Sequence, residues 1–109
     1  MPFIHYGDID NKYVTPEHST AYGGLAVGKT IEVGYLTYKA GEGAKRHQHP
    51  NEQIMVVLKG RLKVELDGEE QELGPKSGFY APSNVPHTVT AVEDSEVLSC
   101  KDLVEGAGH

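Results

Sequence analysis

Four side chains in this sequence have the types and spacing to hold a metal ion. His47 and His49 stand two apart, Gln53 follows four residues later, and His87 comes downstream of Pro82 and Pro86. Imidazole nitrogens and an amide oxygen are neutral donors that suit a divalent transition metal such as Fe, Mn, Ni or Zn. Such a site needs donors that converge from rigid elements. If residues 47–53 run extended, alternate residues share a face, so His47, His49 and Gln53 project together while Glu52 points the other way. The spacing by itself leaves a second reading open, in which two surface histidines precede a strand and a third sits in a turn. His18 lies in a stretch with Pro16, Gly23 and Gly24 that reads as loop, and it is expected to be solvated. His109 ends a Glu-Gly-Ala-Gly-His tail that is expected to fray.

The elements that must position these residues are strands. Residues 30–39 are rich in β-formers, and Gly41 and Gly43 end the run. Residues 53–59 form a second strong strand. Gln53, Met55 and Val57 share one face and Ile54, Val56 and Leu58 the other, so both faces are apolar and both call for a cover. A second sheet supplies one cover, and a second copy of the chain is the expected source of the other. Residues 61–66 alternate between charged and apolar, and Asp67-Gly68 then signals a hairpin whose type I′ turn needs positive φ at both positions. Residues 69–73 return. Short strands follow at 79–82, 87–92 and 96–104, separated by Gly, Pro, Asn and Asp. No window shows a sustained 3.6-residue apolar period, and no repeat of 20–50 residues is present. Many short strands at even spacing mean a sandwich or barrel.

Composition narrows the function classes. The chain has 109 residues, enough for one domain over 1–109, with the core at about 25–104 and residues 1–24 as an arm or edge strand. Its net charge is −6, which argues against nucleic acid or an anionic membrane as a partner. A single cysteine, Cys100, excludes an internal disulfide and fits a reducing compartment. The first residues have neither a basic stretch nor an apolar core, and no segment reaches 18 apolar residues. A cytoplasmic location, a small-molecule substrate and a homodimer are the resulting expectations.

The stretch from Gly41 to Gly60 resembles the first motif of the cupins, Gly-x5-His-x-His-x3,4-Glu-x6-Gly. Gly41, His47, His49 and Gly60 match at the required spacing, and Gln53 takes the glutamate position. The second motif, Gly-x5-Pro-x-Gly-x2-His-x3-Asn, is matched by Pro82 and His87, with Lys76 and Asn84 at its glycine positions and Ala91 at its asparagine. The resemblance implies an all-β fold, the cupin double-stranded β-helix or jelly-roll barrel. It also implies one divalent metal held by His47, His49, Gln53 and His87. Four neutral donors leave the ion its full charge, which suits Lewis-acid work on a carbonyl. The run from His47 to Ile54 is similar to cupins that ketonise unsaturated uronates and to a cupin of bacilysin biosynthesis, so isomerase or lyase chemistry of the keto–enol type is expected. Two alternatives stand beside it. One is an Fe(II) dioxygenase acting on a diketone or catechol-like substrate, and the other is a non-enzymatic cupin that binds a sugar or small acid.

The same resemblance puts Ser99 and Lys101 at pocket-lining positions of the last strand. Lys101 is a candidate catalytic residue, as acid, base or carboxylate anchor, unless its chain runs out to the surface. Tyr38 is a second candidate, and Tyr35 and Tyr80 could also offer a hydroxyl, although each tyrosine fits equally as core packing. Arg46 should face away from the metal, and Cys100, opposite in parity to Lys101, is expected to be buried.

Overall fold

The structure is a computed structural model that describes residues 3–105; His109 lies outside the described residues. A short 3-10 turn at Tyr6–Asp8 is followed by ten strands: β1 (Lys12–Tyr13), β2 (Tyr22–Val27), β3 (Ile31–Tyr38), β4 (Gly43–His47), β5 (Gln53–Lys59), β6 (Leu62–Leu66), β7 (Glu69–Leu73), β8 (Gly78–Ala81), β9 (His87–Ala91) and β10 (Ser95–Asp102). They form a six-stranded sheet in the order β1-β2-β3-β10-β5-β8 and a four-stranded sheet in the order β4-β9-β6-β7. All pairings are antiparallel. The two sheets close over one core as a jelly roll. No described helix is long and apolar enough to cross a membrane.

Alternation sets what faces the core. On β5, Gln53, Met55 and Val57 are buried, and on β10 Ser95, Val97, Ser99 and Lys101 are buried. Leu36 and Leu62 anchor the middle of the two sheets, 1% and 0% exposed. The same parity carries polar side chains inward at one end of the barrel, where Gln53, Ser99, Lys101 and His87 replace the aliphatic residues. That end is where the chemistry sits.

The turns follow the backbone preferences of their residues. Asp67 and Gly68 both have positive φ, 51° and 81°, as a type I′ hairpin requires. Lys76 and Asn84, at the glycine positions of the second motif, also adopt left-handed conformations, φ 69° and 63°. The backbone requirement of the motif is thus kept although its glycines are not. Asn tolerates this region, whereas Lys76 bears roughly 1–2 kcal/mol of strain. At Gly60, φ is 88° and a Cβ would run into Ser95 and the carbonyl of Asp94, so this motif glycine has a steric reason.

Two elements differ from the sequence reading. Strand β2 begins at Tyr22, inside the stretch taken as loop, because Gly23 and Gly24 pack flat against β3 and Ile9 where a side chain would clash. Cys100 is only half-buried, on the outer face of the larger sheet. That face keeps Ile54 51% and Tyr35 38% exposed. Tyr6 covers one corner of it, its ring tilted 50° against that of Tyr35 with centroids 5.6 Å apart and its hydroxyl donating to the Val33 carbonyl at 2.6 Å. The second cover that the two-sided apolar pattern of β5 calls for is therefore not supplied by the described residues of this chain.

Candidate metal centre

His47 closes β4 and His87 opens β9, and the two are direct partners in the register between these strands. Pro86 and the turn at Asn84, whose N–H donates to the His49 carbonyl at 2.7 Å, bring the two histidine-bearing segments together. His49 itself lies past the end of β4, so it reaches the site through a turn and not by strand alternation. Asn51 fixes that turn: it is 1% exposed and donates its Nδ2 to the Asp102 carbonyl at 2.8 Å, while Glu52 N–H donates to Asp102 Oδ1 at 2.8 Å. Sequence reasoning missed Asn51, because its partner is 51 residues away.

The three imidazoles converge. One nitrogen from each of His47, His49 and His87 lies within 4.8 Å of the others. In each ring the Nδ1 meets a backbone carbonyl: Lys45 at 2.5 Å, Asn51 at 2.9 Å and Val85 at 2.9 Å for His47, His49 and His87 respectively. With Nδ1–H donating, Nε2 is left as the bare lone pair, which is the arrangement that orients histidines as metal ligands. Gln53 completes the set. Its Nε2 donates to Ser99 Oγ at 2.9 Å, which turns Oε1 toward His49 Nε2 at 3.2 Å. Two acceptors then face one another across a small gap, and a cation between them satisfies both. The residues present therefore fit a divalent metal, with three nitrogens and one amide oxygen as donors.

Electrostatics keeps the donors neutral. Burial lowers the pKa of His87 to about 4, and burial is also the first cause lowering His47 and His49. The positive charge of Lys101 pushes all three in the same direction. Lys101 does not run to the surface. It is 4% exposed and lines the same cup, and burial brings its pKa down to about 8 against the raising effect of Glu32. The amine stays mostly protonated at neutral pH. Glu32 is itself buried and lies opposite Lys101 in the β3–β10 register.

His18 departs most from its expected place. Its ring stacks on His47, with centroids 4.0 Å apart and planes 25° from parallel. The segment before β2 folds back along β4 through Lys45 N–H to the His18 carbonyl, 2.8 Å, and Thr20 N–H to the Gly43 carbonyl, 3.0 Å. Nothing local in the sequence signals that non-local pairing. Tyr38 also lines the cup, but it pairs with Ser95 at the far end of β3 from Lys101 and its buried hydroxyl meets Ser19. Burial raises its pKa. Tyr35 donates to Glu96 at 2.8 Å on the outer face, Tyr80 is half exposed, and Arg46 pairs with Glu65 at 3.2 Å in solvent. None of these three lines the cup.

Comparison with known proteins agrees with this geometry. The family model described as "Cupin domain" matches residues 34–100. An auxin-binding protein T92 of Nicotiana tabacum is 33% identical over 98 residues, covering 80% of this chain and 52% of its own length. A protein named polyketide synthase CurC of Streptomyces cyaneus is 35% identical over 65 residues, 59% of this chain and 42% of that protein. The chain thus spans about half the length of the curated relatives it matches. Among solved structures, KdgF from a Halomonas species superimposes with a TM-score of 0.83 at 26% identity, over 97% of this chain and 96% of that one. The family model spans more than half of the chain and includes His47, His49, Gln53 and His87, and the chain belongs to the cupin family.

Proposed function

We propose that this cupin is a metal-dependent enzyme that moves a proton next to a carbonyl group in a small substrate, as an isomerase or lyase. The observation that carries the reading is the donor set: three imidazoles and the Gln53 amide, all neutral, with no carboxylate among the residues that line the cup. A divalent ion bound there supplies undiminished Lewis acidity to a carbonyl oxygen.

The chain's own residues do the rest. The backbone carbonyls of Lys45, Asn51 and Val85 hold the imidazoles in one tautomer, and Ser99 holds the Gln53 amide. Lys101 places a charged amine beside the histidines, where it binds a substrate carboxylate or steadies negative charge that develops on oxygen. His18, stacked on His47 at the edge of the cup, is placed to exchange a proton with a substrate carbon or with water. Ala21, Leu36, Met55 and Val89 line the remaining wall and exclude water.

The test is solvent deuterium exchange into 2-oxobutanoate and hydroxyacetone under nitrogen, followed by NMR. Metal-loaded protein should exchange the carbon-bound protons next to each carbonyl much faster than metal-free protein. In Lys101→Met, exchange into the keto acid should fall at least about tenfold, while exchange into the uncharged hydroxyketone should fall less, since an ion-paired contact is worth about 1.5–3 kcal/mol. Exchange no faster than with metal-free protein, or consumption of O2 in step with substrate, would contradict the reading.

A further inference from the structure

The cup beside the histidines is small. Its free volume is about 20 Å³, so it takes the oxygen-bearing end of a substrate and leaves the bulk of a larger one to lie outside it. A second cavity of about 160 Å³ lies in the seam where the edge strands β7 and β8 of the two sheets face each other. Val64, Leu66, Leu73 and Phe79 form its walls, and Glu69 and Gln71 stand at its rim. Phe79 also lines the cup, with its ring centroid 5.9 Å from that of His87. Phe79 thus borders both spaces and places them next to each other.

We propose that the seam is the subsite for an apolar ring of the substrate, attached by a short spacer to the oxygen-bearing head that sits at the histidines. The inference rests on the reading of the cup given above. It adds a substrate class: an enolisable carbonyl compound that carries an aryl or cyclic hydrocarbon group. Volume supports it, because a dry apolar cavity of about 150 Å³ accommodates a benzene ring. Chemistry supports it too. The hydroxyls of a sugar acid would meet Val64, Leu66, Leu73 and Phe79 without hydrogen-bond partners, which is costly, whereas a ring gains contact with Phe79 and the aliphatic walls.

Two probes test this. The first is a pair of diketones, 6-phenyl-2,4-hexanedione and 2,4-hexanedione, titrated into zinc-loaded protein by calorimetry. The phenyl compound is expected to bind at least about tenfold more tightly, or about 1.4 kcal/mol. Gln71→Trp, an exposed position where indole would fill the seam, should remove that advantage and leave the affinity for 2,4-hexanedione unchanged. The second probe is toluene, followed by methyl NMR of metal-free protein, where the methyl signals of Val64, Leu66 and Leu73 should shift. Equal affinity for the two diketones, or an advantage that survives Gln71→Trp, overturns the proposal, as do unmoved methyl signals with toluene. If toluene shifts these methyls but neither diketone binds the zinc-loaded protein, the seam stands and the reading of the cup falls.

Discussion

Replacing His87 with alanine is expected to weaken binding of a divalent transition ion at least about 100-fold, since loss of outer-shell partners alone costs 10- to 100-fold. His87 is the most enclosed of the three histidines, 2% exposed, and its Nδ1 is tied to the Val85 carbonyl at 2.9 Å. His47 and His49 hold the other two corners, and Gln53 is pinned to Ser99. His49→Ala should cost about as much as His87→Ala. Gln53→Ala should cost less, about tenfold, because an amide oxygen is a weaker donor for these ions than imidazole. Competition with a coloured chelator measures all three, and circular dichroism reports whether each variant keeps its strands. If proton exchange at a carbonyl is the activity, it should fall in the same order as metal affinity. A variant that loses the metal but keeps full exchange activity would separate the two and contradict the proposed role.

The second large effect is on the stability of metal-free protein in acid. His87 is held neutral in the fold, with its pKa lowered from 6.5 to about 4 by burial. Above pH 6.5 the folded and unfolded chains bind the same number of protons at this residue. As pH falls below 6.5 the unfolded chain takes up a proton that the folded chain refuses, and stability is lost until about pH 4, where the folded chain accepts it as well. The expected loss from His87 is about 2 kcal/mol once solvent screening is allowed for. His47 and His49 shift in the same direction and add to it. Urea unfolding of wild type and His87→Gln at pH 7.5, 5.5 and 4 isolates the contribution, because acid effects from carboxylates are common to both. The gap in stability between the two proteins should narrow or reverse as pH falls. Parallel curves would mean that His87 is not held neutral by the fold.

Much of the barrel is legible in the sequence because alternation is a local property. Gln53–Lys59 shows which side chains share a face, with Gln53, Met55 and Val57 as one set, although both sets are apolar and only the structure shows the other to be open, and Asp67-Gly68 specifies its turn by backbone conformation alone. The four proposed ligands are legible too, but partly for a reason that the structure changes. His47 and His87 meet as cross-strand partners, whereas His49 arrives through a turn that Asn51 anchors to β10. Spacing recorded the outcome without the cause. What the sequence hides depends on contacts far along the chain. His18 reads as a loop residue until residues 18–20 are seen to pair with β4. Lys101 reads as a chain that runs out to solvent until β10 is seen to turn it inward with Ser95, Val97 and Ser99. The seam behind Phe79 could not be read at all, because it forms between two strand edges that are not hydrogen-bonded to one another.

The claim on which the rest depends is that one ion is bound by His47, His49, His87 and Gln53. X-ray absorption at the metal edge of protein loaded with zinc or nickel tests it most directly. The expected spectrum shows one ion per chain with a first shell of nitrogen and oxygen only and outer-shell scattering from three imidazole rings, falling to two rings in whatever metal His87→Ala retains. A first shell that contains sulfur, or outer-shell scattering from fewer than three imidazoles in the wild type, would contradict it.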